Sequence, residues 1–459
     1  MTTGDEYIMN GVWPTCDKGV ALTRCTVLPV RYSRDAAGQV QQIKAGEWQA
    51  LFVRDAQGLE IQRSLSGGVQ ARWKHDAVGR PTEQRIRTGN TRVAERVRRY
   101  GWQENDRLSS IQDSQHGLTR FEHDAVGNLA ATVFGDGSKE LRLPDAVGNL
   151  FRTAGRTDRR YGPAGQLLQA KGTRYEYDAL GNLSKKISRT GEEWHYSWNS
   201  AGHLAEVVRP DGGVVRFTYD ALGRRVSKSY KGRVTRWVWD GNVPLHEWSN
   251  VEVGAGKDAI EELTTWLFEE DSFAPLAKLQ EQTQWGVVCD HLGTPVELHD
   301  RHGGQAWAAE LDGYGRVRRE EGELNACPFR YQGQYEDVET GLYYNRFRYY
   351  DPKVGQYISQ DPIGLIGGLN LHAYVKDTTT WVDAFGLTPC PKKVEQLRTG
   401  GNNTTVNVRT KAEADALVKE AFPDYQKVRG VGSQDAAGIR KKEKWTDSSK
   451  EGLIIRTML

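Results

Sequence analysis

Apolar and polar side chains alternate along much of this chain. Val215, Phe217 and Tyr219 fall on one side of a strand, Arg216 and Thr218 on the other. Trp194, Tyr196 and Trp198 share a side opposite His195 and Ser197, and Trp237 and Trp239 repeat the arrangement. A period of two predicts strands buried on one face only. Between the strands stands a recurrent turn: an aromatic or other large residue, Asp, two residues, then Gly. Its best copies are YDALGNL at Tyr177–Leu183 and YDALGRRV at Tyr219–Val226; HDAVGR, HDAVGNL and PDAVGNL begin at His75, His123 and Pro144. The Asp or Asn stands at positions 35, 55, 76, 124, 145, 178, 199 and 220, mostly 21 apart; WQENDRL near Asn105 and YGPAGQL at Tyr161–Leu167 fill the two longer gaps.

An Asp opening a turn can cap the backbone with its carboxylate, and Gly at the fourth position suits a type I turn. Each repeat then reads as a hairpin that cannot bury its aromatic face alone, so neighbours must stack. The repeat aspartates are turn residues on this reading, not metal ligands. One carboxylate per repeat falls far short of the roughly six to eight oxygens that calcium takes.

Composition narrows the classes. The chain has 459 residues, 50 of them Gly, with 19 Tyr and 14 Trp but only 3 Met, a mix that favours strands and tight turns. A net charge of +2 gives no global footprint for nucleic acid. Cys16, Cys25, Cys289, Cys327 and Cys390 are widely spaced and form no C-x-x-C pair, which predicts free thiols, no zinc site and no disulfide framework. No cofactor or metal is expected. The first residues, MTTGDEYIMNGVW, lack a basic-then-apolar leader, and no stretch approaches the roughly 18 apolar residues of a membrane span. Export is therefore expected to proceed without a cleavable signal peptide.

The aromatic-Asp-x-x-Gly array resembles the YD repeat of Rhs proteins, teneurins and the C subunits of insecticidal toxin complexes. A second resemblance is more specific. CDHLGTPVELHDRHGGQAWAAELDGYGRV from Cys289, then PFRYQGQYEDVETGLYYNRFRYYDPKVGQYISQDPIGL to Leu365, and a segment ending VDAFGL at Leu387, are similar to the Rhs-associated core. The fold expected is mainly β: a spiralling YD-repeat hairpin shell, incomplete at this length, with a small α+β tail. The expected divisions are a partial repeat at 1–29, the shell at 30–245, an irregular connector at 246–285, the core at 286–387 and a variable toxin-like tail at 388–459.

In the resembling family the core closes the shell and cleaves itself after its final Leu. That implies a single-turnover aspartyl autoprotease with Asp361 and Asp383 as its carboxylate pair, Arg348 as a helper, and a cut at Leu387–Thr388. Hydrolysis by two carboxylates needs one protonated and one ionised, which close approach of like charges promotes. Arg348 could hold one of them ionised or polarise the scissile carbonyl. By residue type alone both aspartates are turn residues, because each precedes x-x-Gly. Their separation of 22 residues is about one repeat, so stacked repeats could place them side by side. Ala384 stands where the family has Pro, which is expected to loosen the turn. His372 reads as a packing residue.

The tail differs in character. Residues 388–459 hold fourteen basic and nine acidic side chains, and all ten histidines of the chain lie at or before His372. A capping box at Thr410–Glu413 precedes Ala414, Leu417, Val418, Ala421 and Phe422 at helical spacing. The lack of His argues against a His-based nuclease, and contact with nucleic acid is conceivable for the tail only. The resemblance implies interbacterial competition: a chain held in the bacterial cytoplasm, then secreted or delivered into a target cell, with a cognate immunity protein and a secretion adaptor such as a type VI spike protein as partners. Two other readings stand beside it: a non-enzymatic YD-repeat surface protein binding carbohydrate or a partner, and an inactive remnant with a truncated toxin.

Overall fold

The computed structural model describes residues 28–89, 94–251 and 263–387, with the backbone of short strands at 259–260, 390–391, 426–427, 442–447 and 450–456. The described residues are nearly all antiparallel β-structure with three 3-10 turns. Eleven strands run from Val30–Arg34 to Lys139–Leu141, and seventeen from Arg159–Tyr161 to Val317–Gly322, each pairing with its neighbours in sequence. A two-stranded link, Leu143–Pro144 with Leu150–Phe151, lies between the two ladders. Residues 246–285, expected to be an irregular connector, carry the second ladder onward through Val243–Val251, Thr264–Phe268, Pro275–Leu279 and Gln284–Cys289.

The repeat turn explains the period. At Asp178, Oδ1 accepts the backbone N–H of Leu180 at 2.9 Å and of Asn182 at 2.8 Å. The Asp178 carbonyl accepts the Gly181 N–H at 3.0 Å. Gly181 has φ +79, and the pairing slips by one residue between Glu176 and Tyr177. This is a type I turn closed by a glycine bulge, and the left-handed backbone at its fourth position is why Gly recurs. The same carboxylate pattern recurs at Asp35, Asp55, Asp76, Asp124, Asp145 and Asp220.

Alternation places the aromatic row inward. Tyr196, Phe217 and Trp237 are buried while His195, Ser197, Arg216 and Thr218 are exposed. A four-stranded sheet covers that row: Tyr335–Asp337, Leu342–Asn345, Arg348–Asp351 and Gln356–Tyr357. Phe217 meets Tyr349, and Trp237 meets Tyr335 edge-on, each pair with ring centroids 5.5 Å apart. The buried Arg225 guanidinium lies 4.5 Å from the rings of both Trp237 and Tyr344 and pairs with Asp337. Each aromatic so buried stabilises by about 1.5–3 kcal/mol, so this plug and the ladder hold each other in place.

The first ladder closes against the far end of the second. Ile43, Trp48, Phe52 and Ile86 share a core with Leu267, Leu276, Leu279 and Val288. Beside them, Arg96 reaches Asp113 at 2.8 Å and Glu297 at 2.6 Å, and Glu297 accepts from His299 at 2.7 Å. Burial pushes the Glu297 carboxyl up, but the His299 hydrogen bond and the Arg98 and Arg96 charges outweigh it and hold it down at about 2. Cys289 and Cys327 are buried free thiols, and burial pushes Cys327 up to about 11. No helix among the described residues is long and apolar enough to cross a membrane. In the tail, Gln426–Lys427, Lys442–Asp447 and Lys450–Arg456 form a small sheet; the helix expected over 410–422 lies outside the described residues.

Candidate functional site

Asp361, Asp383 and Arg348 come together beneath the plug, and all three are buried. Arg348 arrives on the strand Arg348–Asp351, while each aspartate opens a turn. Asp361 Oδ1 accepts the Ile363 N–H at 3.0 Å, and Asp383 Oδ1 accepts the Leu387 N–H at 2.8 Å. Their turn role is therefore real, but it uses one oxygen of each carboxylate. The other oxygens meet at a shared nitrogen: Arg348 Nη2 lies 3.1 Å from Asp361 Oδ2 and 3.3 Å from Asp383 Oδ2.

The same Nη2 donates to the Leu387 carbonyl at 3.2 Å, the carbonyl of the bond expected to break. Nη1 donates to Leu371 O at 3.1 Å, and Nε donates to Gly386 O. With its guanidinium stacked 3.7 Å from the Tyr357 ring centroid, Arg348 is fixed in plane and position. The Leu387 carbonyl is thereby polarised by a cation in a buried setting, where such an interaction is stronger than in water. Thr388 lies outside the described residues.

Burial raises the Asp361 carboxyl above the ordinary carboxylate range; Arg348 and the Ile363 N–H oppose the rise, and the Asp383 charge adds to it. Asp383 Oδ2 also accepts from the Tyr357 hydroxyl at 2.9 Å, and Asn345 Nδ2 donates to that hydroxyl at 2.7 Å and to the Asp383 carbonyl at 2.9 Å. The two carboxyls thus differ in setting. At its outer oxygen Asp361 meets Arg348, whereas Asp383 meets both Arg348 and the Tyr357 hydroxyl, which Asn345 holds in place.

Sequence reasoning missed Tyr357 and Asn345. Nothing distinguishes Tyr357 in the string from Tyr343, Tyr344, Tyr349, Tyr350 and Tyr374, which are all packed in the core. The route by which the aspartates meet also differs from the stacked hairpins expected. Between them the chain forms a 3-10 turn, Gly364–Gly367, and irregular loops, and Arg348 is the common anchor. Ala384 does not leave its turn loose. It is buried with its carbonyl against Gly333; next to it the Phe385 carbonyl accepts the Phe347 N–H, and the Phe385 ring packs on Phe273. His372 is buried, edge-on to Tyr177 with centroids 5.5 Å apart, and burial lowers it to about 4, so it is neutral packing near pH 7. No group of three or more His, Cys, Asp or Glu that could hold a metal occurs among the described residues.

Hairpin ladders joined by Asp-Gly turns, an aromatic plug, and a terminal turn held by two carboxylates and an arginine define a YD-repeat shell. The family model for the teneurin YD-shell matches residues 60–366, and the chain belongs to that family, in its Rhs polymorphic-toxin branch. Among curated relatives, the double-stranded DNA deaminase toxin A of Burkholderia cenocepacia is 31% identical over 92% of this chain and 32% of its own length. The toxin protein Tse5 of Pseudomonas aeruginosa is 29% identical over 78% of this chain and 32% of its own. The probable deoxyribonuclease RhsA of Dickeya dadantii is 28% identical over 88% and 29%. The chain thus spans about a third of the length of these relatives. A crystal structure of TcdB2-TccC3 without its hypervariable C-terminal region aligns with 78% of this chain and 24% of that one, at 17% identity and a TM-score of 0.42.

Proposed function

We propose that this chain is the releasing end of a polymorphic toxin: a shell segment whose core hydrolyses the Leu387–Thr388 bond once and frees residues 388–459. The observation that carries this is the convergence of Asp361, Asp383 and the Leu387 carbonyl on one nitrogen of Arg348. Arg348 polarises that carbonyl, and protonated Asp361 gives its proton to the carbonyl oxygen as water attacks the carbon. Asp383 accepts a proton from the attacking water. The tetrahedral centre returns its proton to Asp361, the C–N bond breaks, and Asp383 passes its proton to the Thr388 nitrogen. One water is consumed, and a carboxylic acid and an amine are left, which ionise by passing one proton from the acid to the amine.

Further parts of the proposal follow from the family resemblance. The tail would be the effector, countered by a cognate immunity protein and delivered into competing bacteria with a secretion adaptor such as a type VI spike protein. The test is intact mass of the full chain after expression. A fragment beginning at Thr388 is expected, and it should vanish in Asp361→Asn and Asp383→Asn. A cut that persists in either variant would sink the two-aspartate chemistry. Growth inhibition by residues 388–459 expressed alone, relieved by the adjacent downstream gene product, tests the toxin role.

A further inference from the structure

The 3-10 turn Gly364–Gly367 brings its last residue beside Asp361 and the Leu387 carbonyl. Its side chains face outward: Leu365 and Ile366 are 71% and 83% exposed. Its last glycine faces inward. A Cβ added to Gly367 would lie 2.2 Å from Asp361 Oδ2, 2.9 Å from Asp361 Cγ and 3.1 Å from the Leu387 carbonyl oxygen. Gly367 does not have the left-handed backbone that would by itself call for glycine. Clearance is the reason a side chain is excluded here, and the atoms it would displace are the two that must react.

We infer that Gly367 is a positioning residue for the self-cleavage proposed above: its bare Cα lets the turn close as a roof that holds the Asp361 carboxyl against the Leu387 carbonyl. The inference rests on that cleavage reading. Neither partner can step aside freely. Asp361 is tied at both backbone atoms, its N–H to Leu371 O and its carbonyl to the Gly364 N–H, and at Oδ1 to the Ile363 N–H. Leu387 is tied through its N–H to Asp383 and through its carbonyl to Arg348. A methyl group inserted between them must drive Asp361 Oδ2 outward by about 1 Å. A misplacement of that size costs on the order of 100-fold in rate.

Two neighbouring glycines separate clearance from backbone strain. Gly368, which closes the same turn, has φ +131 with nothing within 4 Å of an added Cβ and no bond to Asp361, so Gly368→Ala strains the turn without touching the centre. Gly367→Ala does the reverse. The full chain is made by cell-free translation, and the uncut fraction is followed by mass over time across a pH series. Gly367→Ala is expected to slow cleavage about 100-fold, and Gly368→Ala to leave it within about threefold of the parent chain. The pH series adds a readout that a merely structural change would not move. Oδ2 pushed away from Arg348 loses the cation that opposes its raised titration, so the residual rate should persist to higher pH in Gly367→Ala and not in Gly368→Ala. Parental cleavage by Gly367→Ala, or equal slowing by both variants with an unchanged pH profile, overturns the inference. Asp361→Asn, measured alongside, reads the chemistry separately. If it cuts normally, the two-carboxylate reading fails; if it is inert while Gly367→Ala cuts normally, only the roof fails.

Discussion

Replacing Arg348 should do two things at once, and their sizes can be worked from its contacts. Arg348 is 1% exposed and serves five groups: the Asp361 and Asp383 carboxylates and the carbonyls of Leu371, Gly386 and Leu387. Arg348→Ala leaves two buried carboxyls without their cation. Breaking a buried pair from one side costs about 3–5 kcal/mol, and stranded carbonyls cost about 1–3 kcal/mol each where water cannot reach them. These losses overlap, so a fall of about 3–5 kcal/mol is expected, read as a lower urea midpoint by tryptophan fluorescence. Cleavage should stop, because the scissile carbonyl loses its donor. Arg348→Lys retains a charge but offers a compact ammonium in place of a planar fork; it should cut slowly and recover only part of the stability. Neutralising the whole cluster in Arg348→Met with Asp361→Asn and Asp383→Asn should regain much of what Arg348→Ala loses, since no uncompensated charge remains. A midpoint unchanged in Arg348→Ala, or cleavage at the parental rate, would refute this account.

Further expectations concern pH and the frame. Because the Asp361 carboxyl is raised, its proton persists above the ordinary carboxylate range and is lost as pH rises through the raised value; the cleavage rate should therefore fall on the alkaline side. A mass-based time course at several pH values checks this, and a flat profile would contradict it. At the seam, Glu297 is held down at about 2, so its stabilisation is complete above the unfolded value near 4.3 and is lost as pH falls toward 2. Glu297→Ala should cost about 3–5 kcal/mol near neutral pH, and much less near pH 2, by urea titration. Asp178→Ala removes the cap on the Leu180 and Asn182 N–H groups and should cost about 1 kcal/mol with cleavage unchanged. A loss of cleavage there would mean that a repeat aspartate does more than turn the chain.

The sequence carried the ladder far better than the site. Period-two alternation at 194–198 and 215–219 matches the buried and exposed faces, because one face is covered along the whole strand. The turn was legible because Asp and Gly have local reasons to be there, visible within five residues. Residues 246–285 read only as an irregular repeat or connector, since that stretch lacks the Asp-x-x-Gly signature while keeping the pairing. In the candidate site, Asp361, Asp383 and Arg348 were singled out through family resemblance, and their type and spacing alone left a turn role open. Tyr357 and Asn345 act through contacts with residues 26 and 38 positions away, and no local pattern encodes those. Gly367 reads as an ordinary loop glycine until the atoms beside it are known.

The ladder pairs every strand with its neighbour in sequence, so it can grow hairpin by hairpin as the chain is synthesised. The proposed cleavage centre cannot. It needs the plug seated on strands more than a hundred residues upstream, as in the hydrogen bond between Tyr219 and Tyr349, before Arg348 is in place. A chain cut after Leu387 would therefore be one that has finished folding, and the cut would work as a checkpoint that severs the tail only from a completed container.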